Sequence, residues 1–553
     1  MVTRRHALGG ITTGAIGAAV PLAGNMAAAA TGAKPAASAA HATGPEGERR
    51  PDLGNGWYRN PIMPGDYPDP SILKDGDDYY MTHSSFDAAP GLIIWHSRDL
   101  VNWRPMGPAL PNPLGTVFAV DIAKHNGRYY IYIPFMKAPW SKGLASFANI
   151  YVIHADSMAG PWSEPIDLKI GGLIDPGHVV GEDGKRYLYL SGINRVALSD
   201  DGLSTIGPVE PAYDGWHYPD EWVTEGYSLE GPKLFRRGQW FYLVSAVGGT
   251  SGPATSHMVI VARSKSAKGP WVNCPHNPIV RTKSDKEAWW SRGHATMVEG
   301  PGVEGPKGQW YMVYHGYEKD YRSLGRQTLL EPLAWGADGW PRALGGDLSL
   351  AMPMPTGPMP TGKAGTPGGL IRSDDFTAPA FGTRWSFYGA APGEASRARV
   401  GGGVLELAAK GTGPADCSPL TQTVGDHAYE ISVMVDVDAG AQGGLLLFYN
   451  DRLFLGIGID GQSMVTWRGG RSSFWQEPAP KVGKLHLKIV NDHQIVTFFY
   501  SLDGTNWTRH GIRSEVSGYQ ANTVDDLSSL RPAIYASGKG VVRFRDYRFR
   551  AKG

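Results

Sequence analysis

One pattern recurs five times between Asn60 and Leu344 and restricts the fold more than any other feature of the chain. It consists of a polar residue, a short apolar strand, a polar turn with Gly, and an aromatic strand. The copies are YPDPSILKDGDDYYMTHSS, VFAVDIAKHNGRYYIYIPF, LIDPGHVVGEDGKRYLYLSG, SLEGPKLFRRGQWFYLVSA and GHATMVEGPGVEGPKGQWYMVYHG. Three copies run on into an outer strand pair ending in a Trp motif: IIWHSRDLVNWRP, IYVIHADSMAGPWSEP and VIVARSKSAKGPWVNC. The interval is roughly fifty to sixty residues, which suits four-stranded propeller blades and predicts five of them. First strands of propeller blades line the axis, so the residues that open them, Asp69, Asp121, Asp175, Glu230 and His294, should converge at one mouth. Asp69 lies between Pro68 and Pro70, and the proline after it favours an extended backbone there. Three unscreened acids in one cavity cost too much to be there for packing alone.

The rest of the chain completes an all-β reading, a five-bladed β-propeller followed by a β-sandwich of jelly-roll type. Gly (74), Pro (42) and aromatic residues are abundant, as short strands and many turns require. Residues 51–351 form the propeller and 352–369, MPMPTGPMPTGKAGTPGG, a Pro/Gly/Thr linker. Residues 370–553 carry alternating strands such as AYEISVMVDV and KLHLKIV, which read as two packed sheets. Residues 1–30 hold a twin arginine (Arg4, Arg5), a mildly apolar Gly/Ala stretch and small residues, the layout of a twin-arginine export signal and hence of a secreted protein. Residues 31–50, rich in Ala, Gly and Pro, read as a disordered lead-in. A net charge of +1 gives no footprint for nucleic acid or an anionic membrane surface. Cys274 and Cys417 read as two separate thiols.

YPDPS, IDPG before the EDGKRYLY turn, EGPKLFRRGQWFYL, GHATMVE and GRQTLLEPLAW followed by ADGWP together resemble glycoside hydrolase family 43, over residues 60–345 and in order. SPLTQTVGDHAYEISVMVDV and GLLLFYNDRLFLGIGI are similar to the concanavalin-like sandwich attached to that family's β-xylosidases and arabinofuranosidases. The resemblance implies an inverting glycosidase in which Asp69 is the general base, Glu230 the general acid, and Asp175 raises the pKa of the acid and orients it. Base and acid of an inverting enzyme stand about 6.5–9.5 Å apart, with sugar and water between them. It also implies contacts to the sugar from Phe86, Phe118, Asp121, His294 and Arg326, and an oligosaccharide or polysaccharide as partner. No cofactor is required, though the family's histidine often stands beside a channel calcium or sodium. A lone His is a poor calcium ligand, so any ion at His294 would be held mostly through water. Taken singly these residues have plainer readings: a turn aspartate, a core histidine, a strand arginine, blade-core phenylalanines.

Departures from the family pattern bear on substrate. After SSF, where close β-xylosidases carry two aromatics, this chain has Asp87, Ala88 and Ala89; Phe118, Ala119, Val120 replaces a usual Trp-Ala-Pro. The sandwich loop that helps close the xylosidase pocket is not recognisable in SLRPAIYASGKGVVRF. The expectation is release of terminal β-D-xylosyl or α-L-arabinofuranosyl residues. Alternatives are another exo-specificity, such as galactofuranosidase or galactosidase, or a propeller that only binds carbohydrate. Oligomeric state is open.

Overall fold

The computed structural model describes residues 41–141, 143–302, 308–355, 369–474, 480 and 482–552. The export segment, residues 31–40 and linker residues 356–368 therefore lie outside the described residues.

Five antiparallel four-stranded blades follow one another along the chain. Blade 1 comprises Ser71–Asp75, Asp78–Thr82, Gly91–Ser97 and Arg104–Leu110. Blade 2 comprises Asp121–His125, Arg128–Met136, Ala148–Ala155 and Ile166–Gly171. Blade 3 comprises Gly177–Val180, Arg186–Leu190, Asn194–Leu198 and Thr205–Pro211. Blade 4 comprises Glu230–Arg237, Trp240–Val247, Met258–Ser264 and Val272–Asn273. Blade 5 comprises Trp289–Glu299, Trp310–Glu318, Arg326–Trp335 and Pro341–Ala343. Asn126 and Gly127, both at positive φ, make the two-residue turn between the first hairpin strands of blade 2, as the right-handed twist of the pair demands.

Strict antiparallel alternation puts the start of every inner strand, the loop after every second strand and the inter-blade connections on one face. The segment before blade 1 closes the ring against blade 5. Trp57–Tyr58 pairs with Met352–Pro353, the amides of Ile62 and Met63 donate to the Thr328 carbonyl, and the Tyr58 hydroxyl donates to the Leu330 carbonyl. Residues 352–353, at the start of the expected linker, thus belong to the propeller closure.

The sandwich packs an eight-stranded sheet on a seven-stranded one around a core that includes Trp385, Leu445, Ile489 and Phe544. Its larger sheet ends on blade 1, where Phe387 and Tyr388 pair with Ala89 and Ala88. Residues 41–50 are ordered, contrary to the disordered lead-in expected from composition. Ala42–Thr43 pairs with Arg49–Arg50, and the Glu46 carboxylate accepts the Arg372 and Ser373 amides. Arg49 makes a paired contact with Glu318 of blade 5, at 2.7 and 3.0 Å, which His427 of the sandwich reaches at 2.9 Å. Charge pairing, invisible to a composition argument, holds this segment. Cys274 and Cys417 are buried free thiols. No helix among the described residues is long and apolar enough to cross a membrane.

Candidate active site

At the shared face, the residues that open three blades adopt one uncommon conformation. Asp69, Asp175 and His294 have φ of 54°, 55° and 56°, and Gly231 has 62°. Asp69 is therefore left-handed, not extended. Local steric preference before proline is overridden by tertiary bonds: the Asp69 amide donates to His315 Nδ1 at 3.1 Å, and the Gly231 amide to Asp175 Oδ2 at 3.1 Å. The following residues, Pro70, Pro176 and Pro232, lie at the start of inner strands, which have no neighbour on their axial edge, so a missing N–H costs nothing. In blade 5 the strand begins at Trp289, five residues before His294. Register shifts on both sides of Gly293 break the pairing and turn His294 to the axis.

Asp69 is the most heavily liganded of the carboxylates. Ser84 donates to its Oδ2 at 2.5 Å; Arg326 Nη1 donates to Oδ1 at 2.9 Å, with His315 Nδ1 at 3.0 Å and His294 Nδ1 at 3.5 Å. Burial pushes its pKa up, but Arg326, His294 and His315 outweigh burial and hold it well below the usual carboxylate range. Glu230 goes the other way. Burial, then the charges of Asp69 and Glu225, raise it to about 8 against the opposing pull of Arg326. Asp175 is pushed up to about 7, first by burial and then by Glu230 and Asp69, with His294 and the Gly231 amide opposing. The side chain of Glu230 remains 23% exposed while that of Asp69 is 6% exposed, so Glu230 is the carboxylate that meets solvent.

The other expected residues divide. Phe86 and Phe118 meet edge to face with centroids 5.4 Å apart, and the Arg326 guanidinium lies 5.6 Å from the Phe86 ring. These three stand with Asp69. Asp121 does not offer itself to a ligand. Lys233 Nζ, at 2.8 Å, and the Ser71 hydroxyl donate to its Oδ1, and the His178 amide donates to Oδ2, so its acceptors serve to tie blades 1 to 4 together. Sequence position alone could not separate an axial acid facing the mouth from one neutralised by a lysine on another blade.

Arg326 Nη2, His257 Nε2 and His294 Nε2 are buried with no hydrogen-bond partner among the described residues, a concentration of orphaned polar nitrogens that a polyhydroxylated ligand would satisfy. No group of three His, Cys, Asp or Glu residues among the described residues is arranged to hold a metal ion. His294 Nε2 faces Gly231, where an added Cβ would lie 3.0 Å away. His294 offers a single nitrogen, and calcium and sodium take oxygen ligands, so an ion beside it would be held mostly through water.

Sequence reasoning missed Ser84, His257, His315, Glu225 and Thr250. Glu225 accepts the Ser251 and Gly252 amides at 2.8 and 3.0 Å, fixing the loop whose Thr250 lies 3.0 Å from His315 Nε2. It missed the sandwich as well: the Leu530 amide donates to the Ser323 carbonyl, and Arg531 lies 4.0 Å from Asp66, just before Asp69. A cavity between blade 1 and the sandwich is lined by Ser84, Phe86, Gln422 and Arg531 among others and does not include Asp69, Asp175 or Glu230.

A family model described as Glycosyl hydrolases family 43 matches residues 58–341, and one described as Beta xylosidase C-terminal Concanavalin A-like domain matches 373–527. A non-reducing end alpha-L-arabinofuranosidase of Bacteroides ovatus is 34% identical over 52% of this chain and 53% of its own. A xylan 1,3-beta-xylosidase of Vibrio is 33% identical over 51% of this chain and 56% of its own. The chain thus spans about half the length of these curated relatives. The crystal structure of a family 43 protein from Bacillus licheniformis, 27% identical, superposes with a TM-score of 0.77 over 90% of this chain and 100% of that chain. Five blades, a ring of axial carboxylates and a model matching 58–341 place this chain in glycosyl hydrolase family 43.

Proposed function

We infer that the protein is an exported, inverting glycosidase that removes terminal pentose residues, β-D-xylosyl or α-L-arabinofuranosyl, from oligosaccharides or polysaccharides. One observation carries this reading: in a single cavity, environment drives two carboxyls to opposite protonation states, Asp69 far down and Glu230 up to about 8. Hydrolysis of a glycosidic bond by inversion requires one ionised and one protonated carboxyl at the same pH.

Asp69, ionised and fixed by Ser84 and Arg326, takes a proton from the attacking water. Glu230 delivers its proton to the departing glycosidic oxygen. Asp175 fixes the peptide that carries Glu230 by accepting the Gly231 amide, and adds negative charge to the cavity. Phe86 and Phe118 offer apolar ring surface to the C–H face of a sugar, and Arg326 Nη2 a free N–H to a hydroxyl. No step uses a metal ion. The names of the relatives, an arabinofuranosidase and a xylosidase, support a pentose substrate. The twin arginine supports export, and the three intact acids favour catalysis over binding alone.

The test is a panel of aryl glycosides on wild type and Glu230→Gln. Wild type should release xylose or arabinose. The variant should lose about a hundredfold or more on sugars with poor leaving groups but much less on dinitrophenyl glycosides, which leave without protonation. Equal loss on both classes would remove Glu230 from the acid role.

A further inference from the structure

A net charge of +1 averages over an uneven surface, and one face of the seven-stranded sheet is cationic. Five adjacent strands build it, in the order Val541–Ala551, Ala428–Val437, Lys484–Asp492, Ile495–Ser501 and Thr508–Glu515. Side chains of a strand alternate between the two faces of a sheet. Phe544, Phe549, Leu487, Ile489 and Phe498 turn inward to the sandwich core, so their chain neighbours turn outward.

Strand pairing aligns the outward residues in rows. One row runs Arg548, Ser432, Lys488, Phe499, Arg509; the next runs Arg550, Glu430, Val490, Thr497, Arg513. With strands about 4.8 Å apart, each row spans about 19 Å and carries an arginine at both ends. Arg545, opposite Met434, flanks the first row. The acids within this area are already taken, Glu430 by Lys552 at 3.0 Å and Asp546 by Arg548. Asp436, Asp492 and Glu515 stand at strand ends. The side chains of Arg545, Arg550, Arg509 and Arg513 make no hydrogen bond or ion pair among the described residues. Lys488 Nζ lies over the rings of Trp507 and Phe499, at 4.0 and 5.2 Å.

Charge on an edge strand guards it against pairing with another chain, which accounts for Arg509 and Arg513. It does not account for Arg545, Arg548 and Arg550, whose strand is paired on both sides. Like charges gathered on one face repel, and an anion laid over them relieves the repulsion. Lys488 feels this: burial lowers its pKa, with Lys552 adding to the effect against the pull of Glu430. A guanidinium grips a carboxylate through two parallel N–H donors, while an aromatic ring suits the C–H face of a sugar. A chain of sugar rings bearing carboxylates offers both partners at once.

We propose that this face of the sandwich binds an anionic polysaccharide, one that carries uronic-acid carboxylates. The bound polymer lies across the strands, its carboxylates on the arginines and a sugar ring over Phe499 or Trp507. The face shares no residue with the catalytic cavity, so it holds the enzyme on polymer without entering the reaction. The choice of a sugar polymer over a nucleic acid rests on the glycosidase reading given above.

The experiment measures binding of the full-length protein to immobilised polygalacturonate, with neutral arabinoxylan and double-stranded DNA as comparisons. Wild type should bind polygalacturonate more tightly than either and should lose that binding as salt rises to about 0.5 M. The triple variant Arg509→Gln, Arg513→Gln, Arg550→Gln should bind about tenfold more weakly or worse, with an unchanged thermal melt. Its kcat/KM on aryl glycosides should equal that of wild type. A control variant, Lys169→Gln, Lys185→Gln, Lys283→Gln, removes as many exposed charges from the propeller and should bind as wild type does. No binding by wild type, equal weakening in both variants, or equal or tighter binding to arabinoxylan or to DNA overturns the proposal. Absence of aryl-glycoside turnover in wild type would strike the catalytic reading alone, because polygalacturonate binding is read without turnover.

Discussion

Glu225 is exposed at the rim, yet its charge adds to that of Asp69 in holding the proton on Glu230. Neutralising it should ease ionisation of the acid. Glu225→Gln is therefore expected to move the alkaline limb of kcat/KM downward by a few tenths of a pH unit, with little change below neutrality, because the acid is then protonated in either protein. An unmoved limb would leave Asp69 and burial as the sources of the raised value. The contrast between the acids visible in the sequence and the groups that tune them is physical. Asp69, Asp175 and Glu230 sit beside turns and prolines, where local signals mark strand starts. His257 and His315 lie in or beside buried strands, flanked by apolar residues, and look like core. The packing of blade 4 on blade 5, and of blade 5 on blade 1 where the ring closes, shows what they touch.

At the scale of elements, the four left-handed residues at the blade starts aim the site. Gly231 is the one that could not bear a side chain cheaply, since its φ is 62° and a Cβ would meet His294 Nε2 at 3.0 Å. Gly231→Ala should cost roughly 1–2 kcal/mol of stability and, by swinging the Glu230 peptide, at least tenfold in kcat, read by thermal melting and by turnover together. Full activity in this variant would show that the position of the acid does not depend on that turn. The repeat made the blades legible, and the EGP triplet marked the place. The conformation was not legible, because the rule for a residue before proline points to extended backbone. It took the His315 and Asp175 contacts, each from another blade, to reverse it. Asp121 failed in the same manner: its equivalence by repeat was real, but Lys233 neutralises it.

The whole molecule is a propeller braced by its sandwich. Arg49, Glu318 and His427 join the N-terminal hairpin, blade 5 and the sandwich in one half-buried network, and the Phe387–Tyr388 strand extends the sandwich sheet onto the blade 1 loop that carries Phe86. Domain order and boundaries could be read from composition and strand alternation. The docking could not, since it depends on charge pairs between residues hundreds of positions apart. The chemistry this frame serves can be tested on the product. If Asp69 activates water while Glu230 protonates the leaving oxygen, the sugar leaves with inverted anomeric configuration. Proton NMR of a fast reaction, read before mutarotation, is the most direct test. The inverted anomer appearing first is the expected result; the retained anomer appearing first would contradict it and make Asp69 a nucleophile.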